Sequence, residues 1–231
     1  MLSLALFELL LLIWGIRQWN KDRSNVLLAV CILILLPVFC DAFLIGMGSR
    51  IGFSETLEAL TRIRIIWAVF ILPSMLVAAA FFFRYSGFRW AQHKNTVPIA
   101  ALIALALGFY EGYRALSVEL FQSCVLDVIQ YSAFVTPARS CVETSQPLGG
   151  FTLPFSAMAS SIVLWFSGLC LLWKKQWPWV FLSTTCLLIA VSLPREGYLY
   201  FSSYPFDALL CFTLIITAIR LFSTDNLKKQ T

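Results

Sequence analysis

Seven apolar stretches, each close to the length of a bilayer crossing, take up most of the chain. They run over residues 2–16, 26–47, 64–84, 97–117, 151–173, 177–199 and 205–222. The hydrocarbon core of a bilayer is roughly 30 Å thick, so a spanning helix needs about 20 mostly apolar residues. Backbone donors and acceptors find no water there and must close their hydrogen bonds within the segment. The expected fold is therefore an all-α integral membrane protein, a bundle of about seven transmembrane helices. Composition agrees: the 231 residues are 60% hydrophobic and 13% charged, whereas water-soluble domains carry nearer a quarter charged. Connections are short except for the long outer loop 118–150, so residues 1–231 read as a single polytopic membrane domain. The first stretch is long enough if Arg17 and Trp19 snorkel at its inner end. It holds Glu8 and is followed by Arg17, Lys21 and Arg23. That is the reverse of a signal peptide's charge order, so it is expected to be a retained helix.

Charge sets the orientation. Of the 17 Lys and Arg, 11 fall at one set of helix ends: Arg17, Lys21, Arg23, Arg84, Arg89, Lys94, Lys174, Lys175, Arg220, Lys228 and Lys229. Asp22 and Asp225 are the acids beside them, and the other ten of the 12 acids lie toward the opposite ends. Cytoplasmic loops are the Lys- and Arg-rich ones. The expectation is an N-terminus outside and a C-terminus in the cytoplasm, in a bacterial inner membrane or a eukaryotic endomembrane. The net charge of +5 is spread in short clusters between apolar runs, which speaks against a nucleic-acid partner. Cys124 and Cys141 are the cysteines outside the apolar runs. Both fall in the outer loop, where an oxidising compartment favours a disulfide between them.

Ionisable residues within a span are costly and usually face the bundle interior or a water-filled cavity. The second, fourth and sixth runs head outward, and each carries an acid in its outer part: Asp41, Glu111 and Glu196. At ~1.5 Å rise per residue, Asp41, Glu111 and Glu8 share one depth. Glu196 lies nearer the outer surface, and Asp207 begins the last run just above them. Glu111 and Arg114 are three apart and expected to pair on one helical face, while Arg195 adjoins Glu196. Arg62 and Arg64 are expected to snorkel toward headgroups. The triplets Glu111-Gly112-Tyr113 and Glu196-Gly197-Tyr198 both close outward-running helices and suit one cavity rim. Candidate catalytic residues are thus Asp41, Glu111, Glu196 and Asp207. Candidate substrate-binding residues are Glu8, Arg114, Arg195, Tyr113 and Tyr198. Together they outline an outward-opening cavity on an apolar floor, with aromatic residues (15% of the chain) as expected lining able to tolerate positive charge. Residues 54–61 read as a short surface helix capped by Ser54, and 124–135 as an interfacial lid.

Several chemistries are excluded or disfavoured. His93 is the only histidine, which rules out bis-histidine haem in one chain. No lysine lies within a span, so a retinal Schiff base is excluded. The Cys and acidic residues lack metal-ligand spacing, and no P-loop, GxSxG or dinucleotide fingerprint occurs. Neither a metal nor a cofactor is expected.

In layout, with acids on an early helix and on the last, the chain resembles the small seven-helix membrane terpene cyclases of meroterpenoid pathways. The resemblance implies Asp41 and Asp207 as counterparts of that family's acids, and protonation-initiated cyclisation of a prenyl chain. Where the family carries Trp-Glu in its second helix, this chain has Cys40-Asp41. The expected function is an intramembrane enzyme acting on an apolar or prenyl/lipid-like substrate. The alternatives are a small-solute or ion-coupled transporter and a structural subunit of a membrane complex. Expected partners are membrane lipids, an amphipathic or apolar small molecule and, in the third reading, another membrane protein. A sealed aromatic pocket favours the enzyme, a polar path through the inner half favours the transporter, and a flat apolar flank without a pocket favours the complex subunit.

Overall fold

The computed structural model describes residues 1–125, 128–136, 139–141, 143, 146–147, 155–193 and 201–230, the last seven of these as backbone only. In chain order the elements are α1 (Leu2–Lys21), α2 (Val26–Ile51), α3 (Glu55–Ile71), α4 (Met75–Tyr85), α5 (Thr96–Leu116), strands β1 (Phe121–Val125) and β2 (Val128–Ser132), α6 (Phe155–Lys175), α7 (Trp179–Ser192) and α8 (Tyr204–Gln230). A single 3-10 turn, Leu72–Ser74, joins α3 to α4. Pro73 sits in this turn, where its missing N–H would break an α-helical ladder. The rod nonetheless continues from Glu55 to Tyr85.

Among the described residues six helical stretches are long and apolar enough to cross a membrane: α1, α2, the α3–α4 rod, α5, α6 and Tyr204–Ser223 of α8. These mark the chain as a membrane protein. The sixth expected run, 177–199, is helical as α7 over 14 residues, and 194–200 lie outside the described residues.

Packing explains the order. α2 is the hub, touching α1, α3, α4, α8 and β2; α6 packs on α4 and α7, and α7 on α8. Fully buried Ile34, Leu35, Ala78, Phe82, Leu164, Leu171, Leu214 and Ile215 fill the centre. Leu6, Leu102, Phe109 and Phe155 face outward and are exposed, as an apolar solvent permits. Small residues let the helices close in: an added Cβ at Gly108 would meet the Phe70 carbonyl oxygen at 2.6 Å, and one at Gly168 the Phe181 backbone nitrogen at 2.8 Å. Helix starts are tied down by side chains. Leu28 N–H donates to Asn25 Oδ1 at 3.0 Å, and Asn25 Nδ2 donates to the Ala218 carbonyl of α8 at 3.3 Å. Leu57 N–H donates to Ser54 Oγ at 3.2 Å.

Two expectations change. Residues 54–61 are the opening turns of α3 rather than a separate surface helix: Ser54 is a cap, and nothing breaks the chain after it. The bundle is helical as expected, but the long loop is not irregular: β1 and β2 form an antiparallel hairpin in it, with Phe121 opposite Ser132 and Val125 opposite Val128. Cys124 of β1 is disulfide-bonded to Cys141. The hairpin docks on the neighbouring helix ends. Ile129 N–H donates to Ser49 Oγ at 3.4 Å, Tyr131 meets Phe53 edge-on at 5.6 Å, and the Ile129 carbonyl lies against the α carbon side of Gly48. The segment expected as a lid is thus β-structure seated on α2 and α3. Its physical reason is the run Val128-Ile129-Gln130-Tyr131, rich in residues that pack on a pleated surface.

A Cβ at Gly48 would press on the Ile129 backbone, which cannot swing aside as a side chain can. Gly48→Ala is expected to lower stability by about 1–3 kcal/mol, read as a lower thermal midpoint in detergent. Gly112→Ala, where the added carbon meets nothing within 4 Å, is the control. Equal midpoints for the two would show that the hairpin does not seat on α2.

Candidate functional site

A cavity of about 360 Å³ lies between α2, the α3–α4 rod, α6, α7 and α8, within the size range of small-molecule sites. Its walls include Leu72, Met75, Met158, Leu187 and Val191; its polar groups are Asp41, Asp207, Ser161, Ser192, Ser203 and Tyr204. Asp41 stands one turn after Pro37, which also lines the cavity. Asp207 lies in the first turn of α8, the end of a helix that suits an acid. Two carboxyl groups on different helices therefore meet one largely apolar chamber.

Asp41 is not alone. Arg64 of α3 reaches it with Nη1 at 3.1 Å from Oδ1, the two side chains being 11% and 30% exposed. The expectation that Arg64 snorkels is corrected: α3 begins at Glu55, so Arg64 stands more than two turns inside the helix and faces α2. Arg62, at the edge, donates to the Val118 carbonyl at 3.0 Å and pairs with Glu58 at 3.4 Å. The ion pair was legible only as two charges of opposite sign near one depth, since pairing depends on which faces of α2 and α3 meet.

Glu8 of α1 is completely buried, and neither carboxyl oxygen has a hydrogen-bond partner among the described residues. It lies within electrostatic reach of Asp207 and Asp41 but does not line the cavity. Glu111 turns elsewhere. It is buried against the start of α6, accepting a long hydrogen bond from Ser156 N–H at 3.4 Å, while its Oε2 and the Ser156 Oγ have no partner among the described residues. The expected Glu111–Arg114 pair does not form: Arg114 is exposed, its guanidinium 5.9 Å from the Tyr110 ring centre. Tyr113 is 78% exposed. Three residues apart on a helix is near enough to pair, yet here the two side chains diverge, one into the α5–α6 seam and one to the outside. Arg195, Glu196 and Tyr198 lie outside the described residues.

The cavity's character also differs from expectation. Among the described residues Tyr204 is the aromatic one in its lining; apart from Asp41 and Asp207 the rest of the wall is aliphatic, methionine and serine. Many aromatics face outward instead, among them Trp67, Phe109, Tyr110 and Trp173. Below the cavity, toward the basic helix ends, the packed core of Leu35, Ala78, Phe82, Leu164 and Leu214 closes the bundle. Hydroxyls in that region are satisfied locally: Ser183 and Thr213 share a hydrogen bond of 2.8 Å, and Trp177 Nε1 donates to Thr217 Oγ1 at 2.8 Å. Among the described residues no group of three His, Cys, Asp or Glu is placed to hold a metal ion.

No protein-family model matches the chain, and no curated protein or solved structure shows significant similarity to it.

Arg64→Gln strands the Asp41 carboxylate in a half-buried site. We expect a stability loss of about 1–3 kcal/mol, smaller in the background of Asp41→Asn, in a double-mutant cycle of thermal or denaturant unfolding. Additive losses would mean that the pair contributes nothing. Glu111→Ala removes the acceptor from the first turn of α6 and is expected to cost about 1 kcal/mol. Glu111→Gln keeps a carbonyl oxygen there and is expected to lose less.

Proposed function

We propose that this protein is an intramembrane enzyme acting on an apolar or prenyl/lipid-like substrate, with Asp41 and Asp207 as its proton-transfer groups. The observation that carries the reading is the meeting of these two acids in a largely apolar cavity closed by packed side chains on its basic-end side. An aqueous transport path needs polar groups free to meet water through that half, whereas the buried hydroxyls there (Ser167, Ser183, Thr184, Thr213 and Thr217) are hydrogen-bonded to helix carbonyls or to each other within a packed core. Orientation belongs to the same proposal: the basic helix ends face the cytoplasm, α7 belongs to a seventh crossing, and the cavity opens toward the opposite side.

The chemistry suited to this arrangement is redox-neutral. The Asp207 carboxyl adds its proton to one carbon of an alkene, whose π pair becomes the new C–H bond and leaves a cation on the other carbon. A second π pair of the substrate closes on that cation as a C–C bond. A C–H beside the resulting cation gives its proton to the Asp41 carboxylate, and its electron pair restores an alkene. Product and substrate are isomers, so no co-substrate is consumed. Arg64 orients Asp41, and Tyr204 supplies an aromatic face beside the path. The sparse aromatic lining suits a short cationic sequence, a single ring closure or double-bond shift, better than a long cascade.

Asp207→Asn and Asp41→Asn are each expected to reduce turnover by about 10²–10⁴-fold at unchanged membrane abundance. The substrate is found by comparing lipid extracts of a deletion strain with those of a complemented one: an apolar compound should accumulate, and its isomer should vanish. Full complementation by both variants would remove the enzyme reading. For orientation, cysteine-free protein carrying a single cysteine at Ser223 should be shielded from an impermeant thiol reagent in intact cells and labelled after lysis. Labelling in intact cells would reverse the assignment.

A further inference from the structure

The proposed reaction leaves a proton on Asp41 and removes one from Asp207, so a cycle must carry it back. α1 is placed to do this. It packs against both α2 and α8, the helices that bear these acids. Gly15 lies against Ile32 and Ile215, Leu2 at the start of α1 lies against Gly46, and Phe7 pairs with Phe212. Interpolating this register sets Glu8 level with Phe39 and Cys40 of α2, next to Asp41, and beside the first turns of α8. Glu8 is fully buried with both oxygens unpartnered. The titratable groups within electrostatic reach of Glu8 are Asp41 from α2, and Asp207 and Cys211 from α8; Cys40 precedes Asp41 at the same level of α2. Arg64 joins this set through its ion pair with Asp41.

We propose that Glu8 is a proton-holding positioning residue behind the cavity wall, returning the proton from Asp41 to Asp207 after each turnover. An isolated carboxylate in an apolar seam is strongly disfavoured, whereas a neutral carboxyl is tolerated there. This geometry also explains why an acid stands in α1 at a position that does not touch the substrate chamber. In the cycle, Asp41 gives its proton to Glu8 and Glu8 gives its own to Asp207; no charge is created or lost. The inference rests on the proposed proton-transfer role of the two aspartates.

The test needs no substrate and uses the full chain in lipid nanodiscs. Infrared difference spectra recorded across a pH titration report protonated carboxyl groups by their carbonyl stretch, and isotope labelling of glutamate carboxyls separates glutamate from aspartate without any substitution. A protonated glutamate band is expected at neutral pH, lost in Glu8→Gln and retained in Glu111→Gln. Asp207→Asn and Asp41→Asn are each expected to move the pH at which that band disappears. Absence of the band in wild-type protein would overturn the proposal, and a band unmoved by both aspartate variants would overturn the shuttle. Because neither result involves turnover, failure here is distinct from failure of the enzyme reading, which the complementation assay decides.

Discussion

Hydrocarbon offers neither hydrogen bonds nor screening, and every polar group in this bundle is arranged around that fact. Backbone groups close within helices; hydroxyls such as Thr184, Ser160 and Thr217 donate to carbonyls one turn back. Charges cannot be settled so locally. Asp41 is met by Arg64 from the next helix, and this bond ties α2 to α3 at the level of the cavity that both help to line. Helix packing, the site and its chemistry share that constraint, because a carboxyl is tolerated among apolar side chains only with a partner or a proton.

The same constraint separates the acids by role. Asp41 and Asp207 reach a chamber with room for a ligand, Glu111 serves the start of α6, and Glu8 is enclosed with no partner among the described residues. Acids expected at one depth thus have three environments. Depth along a helix follows from counting residues, but azimuth depends on how each helix is rotated against its neighbours. A rotation of one residue, about 100°, is enough to turn a side chain from cavity to seam.

The hairpin shows another limit of linear reading. Residues 124–135 are apolar and short, a pattern shared by interfacial helices and strands. Tertiary contacts decide between them: Gly48 leaves space for the Ile129 backbone, Phe53 offers an edge to Tyr131, and the bond between Cys124 and Cys141 closes the loop. The aromatic-lined pocket failed for a related reason. Phe and Trp are as compatible with lipid as with a core, so their abundance does not say which way they point.

What the sequence determined by itself is membrane residence, helix content and the ladder of apolar runs, because run length is compared directly with bilayer thickness and needs no knowledge of neighbours. It also marked the two loop cysteines and the unusual acids. Only the tertiary structure decided that Arg64 rather than Arg114 is the partner of an acid, and that Asp41 and Asp207 share a chamber while Glu111 does not. It alone showed that Glu8 lies buried between the helices bearing those aspartates. Such facts depend on the rotation and register of packed helices, which arise from the fit of many small side chains at once. No single stretch of sequence contains that fit.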